Sequence, residues 1–365
     1  MDNEHIDEKQ NWAFSIRYAA RERNGTIILA VNTLAHCATV RSCLVIQIEC
    51  VVSQAACQSS AVASPCLRCD WRKDAPTPSN GTAVTKPSEA THLEKCPNDP
   101  PELAGPLRIV FDQEQSLEEL ATLNPYVEFG GHYKPPNCVP LQRIAIIIPF
   151  RNRDHHLRHW LYYLHPILRR QQGDYGIYVI EQAGEGTFNR AKLLNVGFVE
   201  ASKEKDYDCF IFSDVDIIPE NDRNLYRCSQ NPRHLACAMD KFGYKLPYTG
   251  YFGGVVAFTK EQYLKINGFS NNYWGWGTED DDTYQRVTMS GMSVDRPDRN
   301  IGRTKMIRHQ RDKGNEVNEK NYAVYNRMKF TRKQDGYISL KYSLIKIEKS
   351  QLFTKITVDI GKPPS

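Results

Sequence analysis

The sequence predicts an α/β fold with a mostly parallel sheet that is flanked by helices. Residues 143–150 form a short apolar run rich in isoleucine, which is typical of a buried strand. Residues 157–168 repeat apolar side chains with a period of 3.6, as one face of a helix does, and residues 175–180 form a second strand-like run. This order is a βαβ unit, in which two strands pair in parallel through a right-handed crossover.

Two arginines follow the first predicted strand. Arg151 and Arg153 lie at its carboxyl end, where α/β sheets bind their ligands, and they could meet a phosphate or a nucleotide base. The alternative is that both are solvated side chains at the start of a helix. Residues 188–198 then predict the start of another helix, with Arg190 in its first turn.

An acidic pair follows the next apolar strand, within residues 209–219. Asp214 and Asp216 would end a buried strand, where carboxylates cost free energy unless a positive charge meets them. A divalent cation that bridges to a diphosphate would satisfy both. An isolated Asp-x-Asp pattern is a weak signal, and its position at the end of a parallel strand is what favours a functional interpretation.

Residues 248–258 place two glycines between aromatic side chains and then continue as a strand. Gly253 and Gly254 indicate a backbone that packs closely against a ligand, because glycine has no side chain to keep the ligand away. An ordinary glycine turn is the alternative.

Residues 273–282, YWGWGTEDDD, combine three aromatic rings with four consecutive acids. Aromatic faces suit the apolar face of a sugar or a base. Thr278 is predicted to cap the following helix, with Asp281 as its capping-box partner. Glu279 and Asp280 would then lie in the first turn, where the helix dipole favours negative charge. A carboxylate held ionised beside flat rings is what a general base for a sugar hydroxyl needs, and an exposed acidic helix start is the alternative.

Residues 306–318 are polar and contain Met306 and His309, which are three positions apart and can face the same way. Histidine is a common ligand for transition metals, whereas methionine is a poor ligand for a hard ion, so spacing alone favours a surface loop. Gly302 and Gly314 bracket this segment and are candidate hinges of a mobile lid. Residues 337–360 alternate apolar and polar side chains, which predicts one or two edge strands.

Composition excludes several classes of protein. The chain has 365 residues, and its net charge of +4 gives no case for nucleic acid as a partner. Its 11 cysteines are not spaced as a dense disulfide framework, and the Cys66-x-x-Cys69 pair has no second pair to complete a zinc module.

Composition also predicts three regions along the chain. Residues 1–71 form a tail with a weakly apolar segment, residues 72–106 a stem or linker rich in Pro, Ser and Thr, and residues 107–365 the folded domain. Between residues 26 and 63 only Arg41 and Glu49 are charged, which leaves a membrane anchor and a soluble tail both open. Asn80 begins a glycosylation sequon within the linker.

Five motifs, in this order and spacing, resemble the β-1,4-galactosyltransferase family. They are FNRAKLLNVGF at 188–198, FSDVDIIP at 212–219, YFGGVVAFTKEQYLKINGF at 251–269, NNYWGWGTEDDD at 271–282 and MIRHQRDKGNE at 306–316. The resemblance covers about residues 96–364. It implies a GT-A-like mixed, mostly parallel sheet with a flexible N-terminal region. It also implies an inverting, manganese-dependent transfer of galactose from UDP-galactose to O4 of a terminal N-acetylglucosamine or glucose.

The resemblance implies roles for individual residues. Asp280 would be the catalytic base, and Asp216, Met306 and His309 would be the metal ligands. Donor contacts are implied for Pro149, Phe150, Arg151, Asn152, Arg153, Phe188, Asn189, Arg190, Asp214, Val215, Tyr251, Gly254, Trp276, Gln310 and Arg311. Acceptor contacts are implied for Thr278, Glu279, Asp281, Tyr248 and Tyr273. Disulfides are implied between Cys96 and Cys138 and between Cys209 and Cys228.

The chain also departs from the family pattern. Thr278 stands where a glycine is usual, Gln310 where serine is frequent, and Asn321 where an arginine can contact the acceptor. Acceptor preference is therefore less determined than donor preference. The alternatives are an N-acetylgalactosaminyltransferase, against which Tyr251 argues, and a non-catalytic carbohydrate-binding protein, which would have no need for the three metal ligands.

The resemblance further implies a location and partners. Family members carry a short cytosolic tail, one membrane-spanning helix and a stem, which predicts a type II protein in the Golgi lumen. Disulfides fit such an oxidising compartment. The expected acceptor is a glycoprotein or glycolipid that ends in N-acetylglucosamine.

Overall fold

A computed structural model describes residues 93–112, 114–310 and 312–364, together with the backbone of three strands nearer the N-terminus. The chain divides into two compact units, residues 1–88 and 89–365. The remaining residues of the predicted tail and linker, including the Cys66-x-x-Cys69 pair and the sequon at Asn80, lie outside the described residues.

The first unit contains a three-stranded antiparallel sheet. Strands β1 (Phe14–Arg23), β2 (Thr26–Ala35) and β3 (Gln47–Val52) follow one another in that order. Among the residues that the structure describes, no helix has the length and apolar content needed to cross a bilayer.

The second unit carries the predicted α/β domain. Its helices are α1 (Leu117–Leu123), α2 (Asp154–Arg170), α3 (Arg190–Glu204), α4 (Lys260–Lys265), α5 (Glu279–Met289) and α6 (Lys320–Thr331). Its strands are β4 (His132–Tyr133), β5 (Arg143–Phe150), β6 (Asp174–Gln182), β7 (Cys209–Ser213), β8 (Ile217–Pro219), β9 (Arg233–His234), β10 (Ala238–Met239), β11 (Val255–Thr259), β12 (Arg303–Met306), β13 (Ser343–Lys349) and β14 (Thr354–Asp359).

The main sheet confirms the predicted mixed, mostly parallel arrangement. Its order is β13-β14-β6-β5-β7-β11-β9, with β4 paired to β6 as an eighth strand in the described part of the chain. The four central strands β14, β6, β5 and β7 run parallel, and the outer pairings are antiparallel. The predicted βαβ unit is therefore β5-α2-β6, and its strands pair from Arg143 with Asp174 to Phe150 with Glu181.

Helices cover both faces of this sheet. Successive side chains of β5 point to opposite faces, as in any strand. Ile146 therefore packs with the apolar stripe of α2 around Trp160, whereas Ile147 packs with α3. Gly197 of α3 sits so close to Ile147 that a Cβ atom there would lie 2.2 Å from its side chain, which lets the helix approach the sheet.

The C-terminal strands differ in part from the prediction of edge strands. β13 is an exposed edge strand, but β14 lies inside the sheet, where it pairs in parallel with β6 and antiparallel with β13. An alternating sequence does not distinguish an edge strand from an interior strand. In β14, Thr354, Ile356 and Val358 are buried on one face while the other face stays partly exposed, as would also be expected at an edge.

The folded unit also begins earlier than the predicted residue 107. A disulfide joins Cys96 to Cys138, and the backbone N–H groups of Ala104 and Gly105 donate to the buried carboxylate of Asp222 at 2.9 and 2.7 Å. Composition alone made these residues resemble a linker, since tertiary cross-links leave no trace in local polarity.

Candidate functional site

A cavity of ≈ 420 Å³ opens at the carboxyl ends of β5 and β7, the edge where α/β sheets bind ligands. Most of the side chains predicted from sequence to form a site converge here from distant parts of the chain. Its lining includes Pro149, Arg151, Arg153, Phe188, Arg190, Asp214, Val215, Asp216, Tyr251, Gly254, Trp276, Glu279, Asp280, Met306 and His309.

The acidic pair lies directly after β7, as predicted. The N–H of Asp214 donates to the carbonyl of Gly254 at 2.9 Å, which ties the pair to the glycines before β11. Arg190, at the start of α3, donates to Asp214 at 2.6 Å and lies 4.0 Å from Glu279. Burial raises the pKa of Asp214 to about 6, against the lowering effect of Arg190. The arginine therefore links two groups of carboxylates across the cavity.

Asp216, Met306 and His309 come together because of the small sheet β10-β12-β8. β12 pairs antiparallel with β8, so that Met306 lies opposite Ile217, the neighbour of Asp216. The N–H of Ile307 donates to the carbonyl of Asp216 at 2.9 Å, and His309 Nε2 lies 3.0 Å from Asp216 Oδ2. Residues that are 90 positions apart in sequence thus meet at one point of the cavity.

Arg153 fastens the segment around His309 to the start of α2. Its guanidinium pairs with Asp312 at 2.6 Å and donates to the carbonyl of Gln310 at 3.1 Å. His309 has a raised pKa, chiefly because its ring hydrogen-bonds to Asp216. Arg151 is buried beside the same segment, where it donates to the carbonyl of Lys313 at 3.1 Å and stacks 5.1 Å from the ring centre of Phe188.

Asp280 lies in the first turn of α5 and faces the glycine pair across the cavity. A Cβ atom on Gly253 would be 2.6 Å from Asp280 Oδ2, so only glycine allows this approach. Burial raises the pKa of Asp280 to about 7, and the neighbouring carboxylates Glu279 and Asp281 add to the shift. A carboxylate with a pKa near neutrality is well matched to accept a proton from a hydroxyl group.

The predicted capping box at Thr278 is wrong. Thr278 precedes α5 with φ of 66°, a left-handed conformation, and its hydroxyl donates to the carbonyl of Gly277 at 2.8 Å. The N–H of Asp281 donates instead to Asp280 Oδ1 at 3.0 Å. A cap residue needs an extended backbone to turn its side chain toward the helix, and this φ removes that option.

Replacing Thr278 by glycine should stabilise the protein. A β-branched residue is strained at positive φ by about 1–2 kcal/mol, and part of that gain is offset by the greater chain entropy of glycine in the unfolded state. We expect a net gain of about 1 kcal/mol, measured by thermal or denaturant unfolding. Thr288→Gly, at an exposed position of the same helix, is the control and should lower stability by about 0.3 kcal/mol. Equal changes in the free energy of unfolding for Thr278→Gly and Thr288→Gly would contradict backbone strain at Thr278.

The comparisons with known proteins agree with the geometry. Family models for the N-terminal region of glycosyl transferase group 7 and for the N-terminal domain of galactosyltransferase match residues 96–229 and 233–310. The chain is 58% identical over 269 residues to human β-1,4-galactosyltransferase 2, covering 73% of this chain and 72% of that protein. It is 57% identical over 285 residues to β-1,4-galactosyltransferase 1 of Bos taurus, covering 78% and 71%. The chain belongs to the β-1,4-galactosyltransferase family.

A solved structure supports the same fold. The catalytic domain of Drosophila β-1,4-galactosyltransferase 7, crystallised with xylobiose, aligns with a TM-score of 0.52 and 28% identity over 60% of this chain and 95% of that chain. The main sheet and its flanking helices are therefore the GT-A-like domain that the motifs implied. As a member of this family the chain is a hexosyltransferase that places galactose in a β-1,4 linkage.

Both disulfides implied by the family resemblance are present. Cys96 bonds to Cys138, and Cys209, the first residue of β7, bonds to Cys228. Cys237 is buried without a disulfide partner in the described part of the chain.

Several residues with predicted site roles do not line the cavity. Tyr273 is only 1% exposed, and its hydroxyl donates to Asp282 at 2.9 Å instead of facing a substrate. Asn189 is the N-cap of α3, where its side chain accepts from the N–H of Lys192. Tyr248 is half-exposed and donates to Asp281 Oδ1 at 2.7 Å, outside the cavity lining. Phe150, Asn152, Thr278 and Gln310 are likewise not part of the lining, and Arg311 lies outside the described residues.

Asn321 occupies the position of the family's arginine, but its side chain turns inward. It is buried and donates to the carbonyl of Gly277 at 3.0 Å, while Asn318 donates to the carbonyl of Trp274 at 2.8 Å. These two amides hold the tryptophan-containing segment against the start of α6. An acceptor contact from Asn321 would require this bond to Gly277 to break.

The cavity also contains residues that sequence reasoning missed. His156 in α2 is 7% exposed, its ring lies edge-on to His309 with centres 5.1 Å apart, and neither ring nitrogen has a hydrogen-bond partner among the described residues. Lys241 adds a positive charge to the lining of the cavity. The remaining missed residues are Ile217, Met239, Phe242, Asp312 and Asn315, whereas Gly253, which the sequence predicted to approach a ligand closely, lines the cavity as expected. His156 carried a usable signal, since it follows Arg153 by one helical turn.

Proposed function

We propose that this cavity transfers galactose from UDP-galactose to O4 of a terminal N-acetylglucosamine or glucose, with Mn²⁺ as cofactor. The observation that carries the proposal is the meeting of two functional groups in one cavity. A candidate base, Asp280, lies on one side, and Asp216, Met306 and His309 lie on the other. Arg190 stands between the two acidic groups through its contacts with Asp214 and Glu279.

The three candidate ligands fit a divalent transition metal. A carboxylate and an imidazole suit Mn²⁺, and the soft thioether of Met306 argues against Ca²⁺ or Mg²⁺ as the resident ion. Among the described residues, no group of three His, Cys, Asp or Glu side chains is placed to hold an ion, so the thioether would complete the set. When bound, Mn²⁺ would offset the negative charge that develops on the departing diphosphate.

The residues of this chain would then divide the remaining work. Arg151 and Arg153 lie at the end of β5, where they can orient the nucleotide. Asp280 accepts the proton of the acceptor O4, which forms its bond to C1 of galactose as the bond from C1 to the diphosphate breaks on the opposite face. This single displacement inverts the anomeric centre and needs no covalent enzyme intermediate. Closure of the segment that carries His309, which Arg153 already holds, would exclude water from the site.

A donor competition assay tests the proposal. Tyr251 lines the cavity beside Asp280, where its half-buried ring would compete for space with an N-acetyl group on the donor sugar. With a GlcNAc-terminated acceptor and Mn²⁺, we expect UDP-galactose to be consumed well ahead of UDP-N-acetylgalactosamine. Preference for the latter would favour an N-acetylgalactosaminyltransferase. Sugar binding without release of UDP from either donor would favour a carbohydrate-binding protein.

We also propose that the protein works in the Golgi lumen, anchored as a type II membrane protein. The two disulfides support an oxidising compartment, since such bonds are rare in the cytosol. The acceptor is proposed to be a glycoprotein or glycolipid. Protease protection of the tagged C-terminus in intact microsomes tests the orientation, and digestion without detergent would contradict it.

A further inference from the structure

His234 is a buried histidine that lies behind the glycine pair and outside the lining of the cavity. It is 0% exposed, belongs to β9 and pairs with Val256 of β11. Its ring contacts Tyr251 and Phe252 edge-on, with ring centres 5.4 and 5.6 Å apart. None of the proposed catalytic steps uses it.

The hydrogen bonds of His234 determine its tautomer. Arg296 Nε, which can only donate, lies 3.3 Å from His234 Nδ1. Nδ1 must therefore accept, and the ring proton must lie on Nε2, which donates to the carbonyl of Gly253 at 2.9 Å. Burial and the charge of Arg296 lower the pKa of His234 to about 3, so the ring stays neutral at working pH.

Arg296 holds the same segment from a second side. Its guanidinium donates to the carbonyls of Thr249 and Tyr251, each at 3.0 Å. The segment that contains Tyr251 and Gly253 is therefore fixed by three bonds from two side chains. On its opposite side, the Cα of Gly253 faces Asp280 Oδ2 so closely that no Cβ atom would fit.

We propose that Arg296 and His234 are positioning residues that hold the segment of Tyr251 and Gly253 at the correct distance from Asp280. The inference rests on the proposed roles of Asp280 as base and Tyr251 as donor contact. Loss of the His234 bond would let Gly253 move toward or away from the carboxylate. A displacement of about 1 Å at a reacting centre can cost about 100-fold in rate. Donor selectivity should change as well, because Tyr251 belongs to the same segment.

Two substitutions of His234 separate hydrogen bonding from packing. The amide nitrogen of glutamine reaches the position of Nε2 and can still donate to Gly253, whereas asparagine reaches only the position of Nδ1. We expect His234→Asn to lower kcat roughly 10- to 100-fold. His234→Gln should retain most of kcat. UDP affinity, measured by calorimetry, should be unchanged in both, and the ratio of UDP-galactose to UDP-N-acetylgalactosamine use should fall only in His234→Asn.

His165 supplies a matched control. It is also fully buried, and its ring nitrogens contact the hydroxyl of Tyr175 and the carbonyl of Leu352 at 2.9 and 3.0 Å, in a part of α2 that does not line the cavity. His165→Asn should lower the melting temperature without a change in kcat. Equal kcat for His234→Asn and His234→Gln, or a wild-type kcat for His234→Asn, would overturn the proposal.

Arg296→Met provides a second route if His234→Asn fails to fold, because Arg296 is only partly buried. It should lower kcat and shift donor selectivity in the same direction, since His234 loses the donor that fixes its tautomer. An unchanged kcat in Arg296→Met would contradict the inference. If Asp280→Asn abolishes transfer but the His234 and Arg296 variants transfer galactose at the wild-type rate, the positioning role is wrong and the proposed base stands. Transfer that survives Asp280→Asn would instead remove the proposed base.

Discussion

Asp280→Asn should abolish galactose transfer, with kcat lower by about 10²–10⁴-fold, the range that general-base catalysis supplies. The amide cannot accept the proton of the acceptor hydroxyl, but it preserves the size of the side chain and leaves the nucleotide end of the cavity intact. UDP affinity, measured by calorimetry, should therefore match that of the wild type. Initial rates with UDP-galactose and a GlcNAc-terminated acceptor provide the measurement.

Asp281→Asn is the matched control for this prediction. Its carboxylate accepts from the hydroxyl of Tyr248 and lies outside the cavity lining, one position away in the same helical turn. We expect it to change the KM for the acceptor more than kcat. Transfer by Asp280→Asn at a rate close to that of Asp281→Asn would exclude Asp280 as the base.

The same carboxylate predicts how rate and stability depend on pH. Asp280 must be ionised to act as a base, and its pKa is raised from 3.8 to about 7, so the rate should fall about tenfold per pH unit below 7. A raised carboxyl pKa means that the folded state binds more protons than the unfolded state between these values, so stability falls as pH rises from about 4 to 7. Asp280→Asn should therefore stabilise the protein at pH 8, by about 1–2 kcal/mol, and have little effect at pH 4.

Asp216→Asn should abolish activity through loss of the metal. Asp216 Oδ2 lies 3.0 Å from His309 Nε2, and the backbone carbonyl of Asp216 accepts from the N–H of Ile307, at the start of the segment that contains His309. Removing a negatively charged ligand weakens binding of a divalent cation more than loss of a supporting residue, which itself costs about 10–100-fold in affinity. Binding of Mn²⁺, measured by electron paramagnetic resonance, should weaken by more than that range in the absence of any substrate.

Asp206→Asn is the control for charge. Asp206 is an exposed aspartate that pairs with Arg143 and Lys260 at 3.1 Å, at the opposite end of β5 from the cavity. The Asp206→Asn substitution removes one negative charge, as Asp216→Asn does, and should leave both Mn²⁺ binding and kcat unchanged. An Asp216→Asn variant that binds Mn²⁺ as tightly as Asp206→Asn would show that the ion is held elsewhere.

Local patterns predicted the elements that carry the site. The isoleucine-rich run is β5, with the predicted bounds, because a continuous apolar run is typical of a strand that is buried on both faces. The run with a period of 3.6 residues is α2, because that period is typical of a helix that buries one face. The acidic pair follows β7 directly, because an unpaired carboxylate inside this fully buried strand would cost free energy. The family motifs then identified the disulfides, which spacing alone left undetermined.

Other features could not be read from local patterns. The capping box at Thr278 failed because the preceding glycines direct the backbone into a left-handed turn. The family resemblance implies an acceptor contact for Tyr273, yet its ring turns into the core and its hydroxyl donates to Asp282. The spacing of His156 from Arg153 indicates the face of α2 on which it lies, but its contact with His309, 153 positions further along the chain, depends on tertiary packing.

The sequence by itself determined the α/β class, the order of the central βαβ unit and the residue types that meet at the strand ends. These follow from periodicity and from the cost of burying charge, which act over a few residues. Only the tertiary structure decided that β12 lies beside β8 and brings Met306 and His309 to Asp216. It also decided that β14 enters the sheet and that Arg296 reaches His234, because pairings between distant segments depend on the packing of the whole domain.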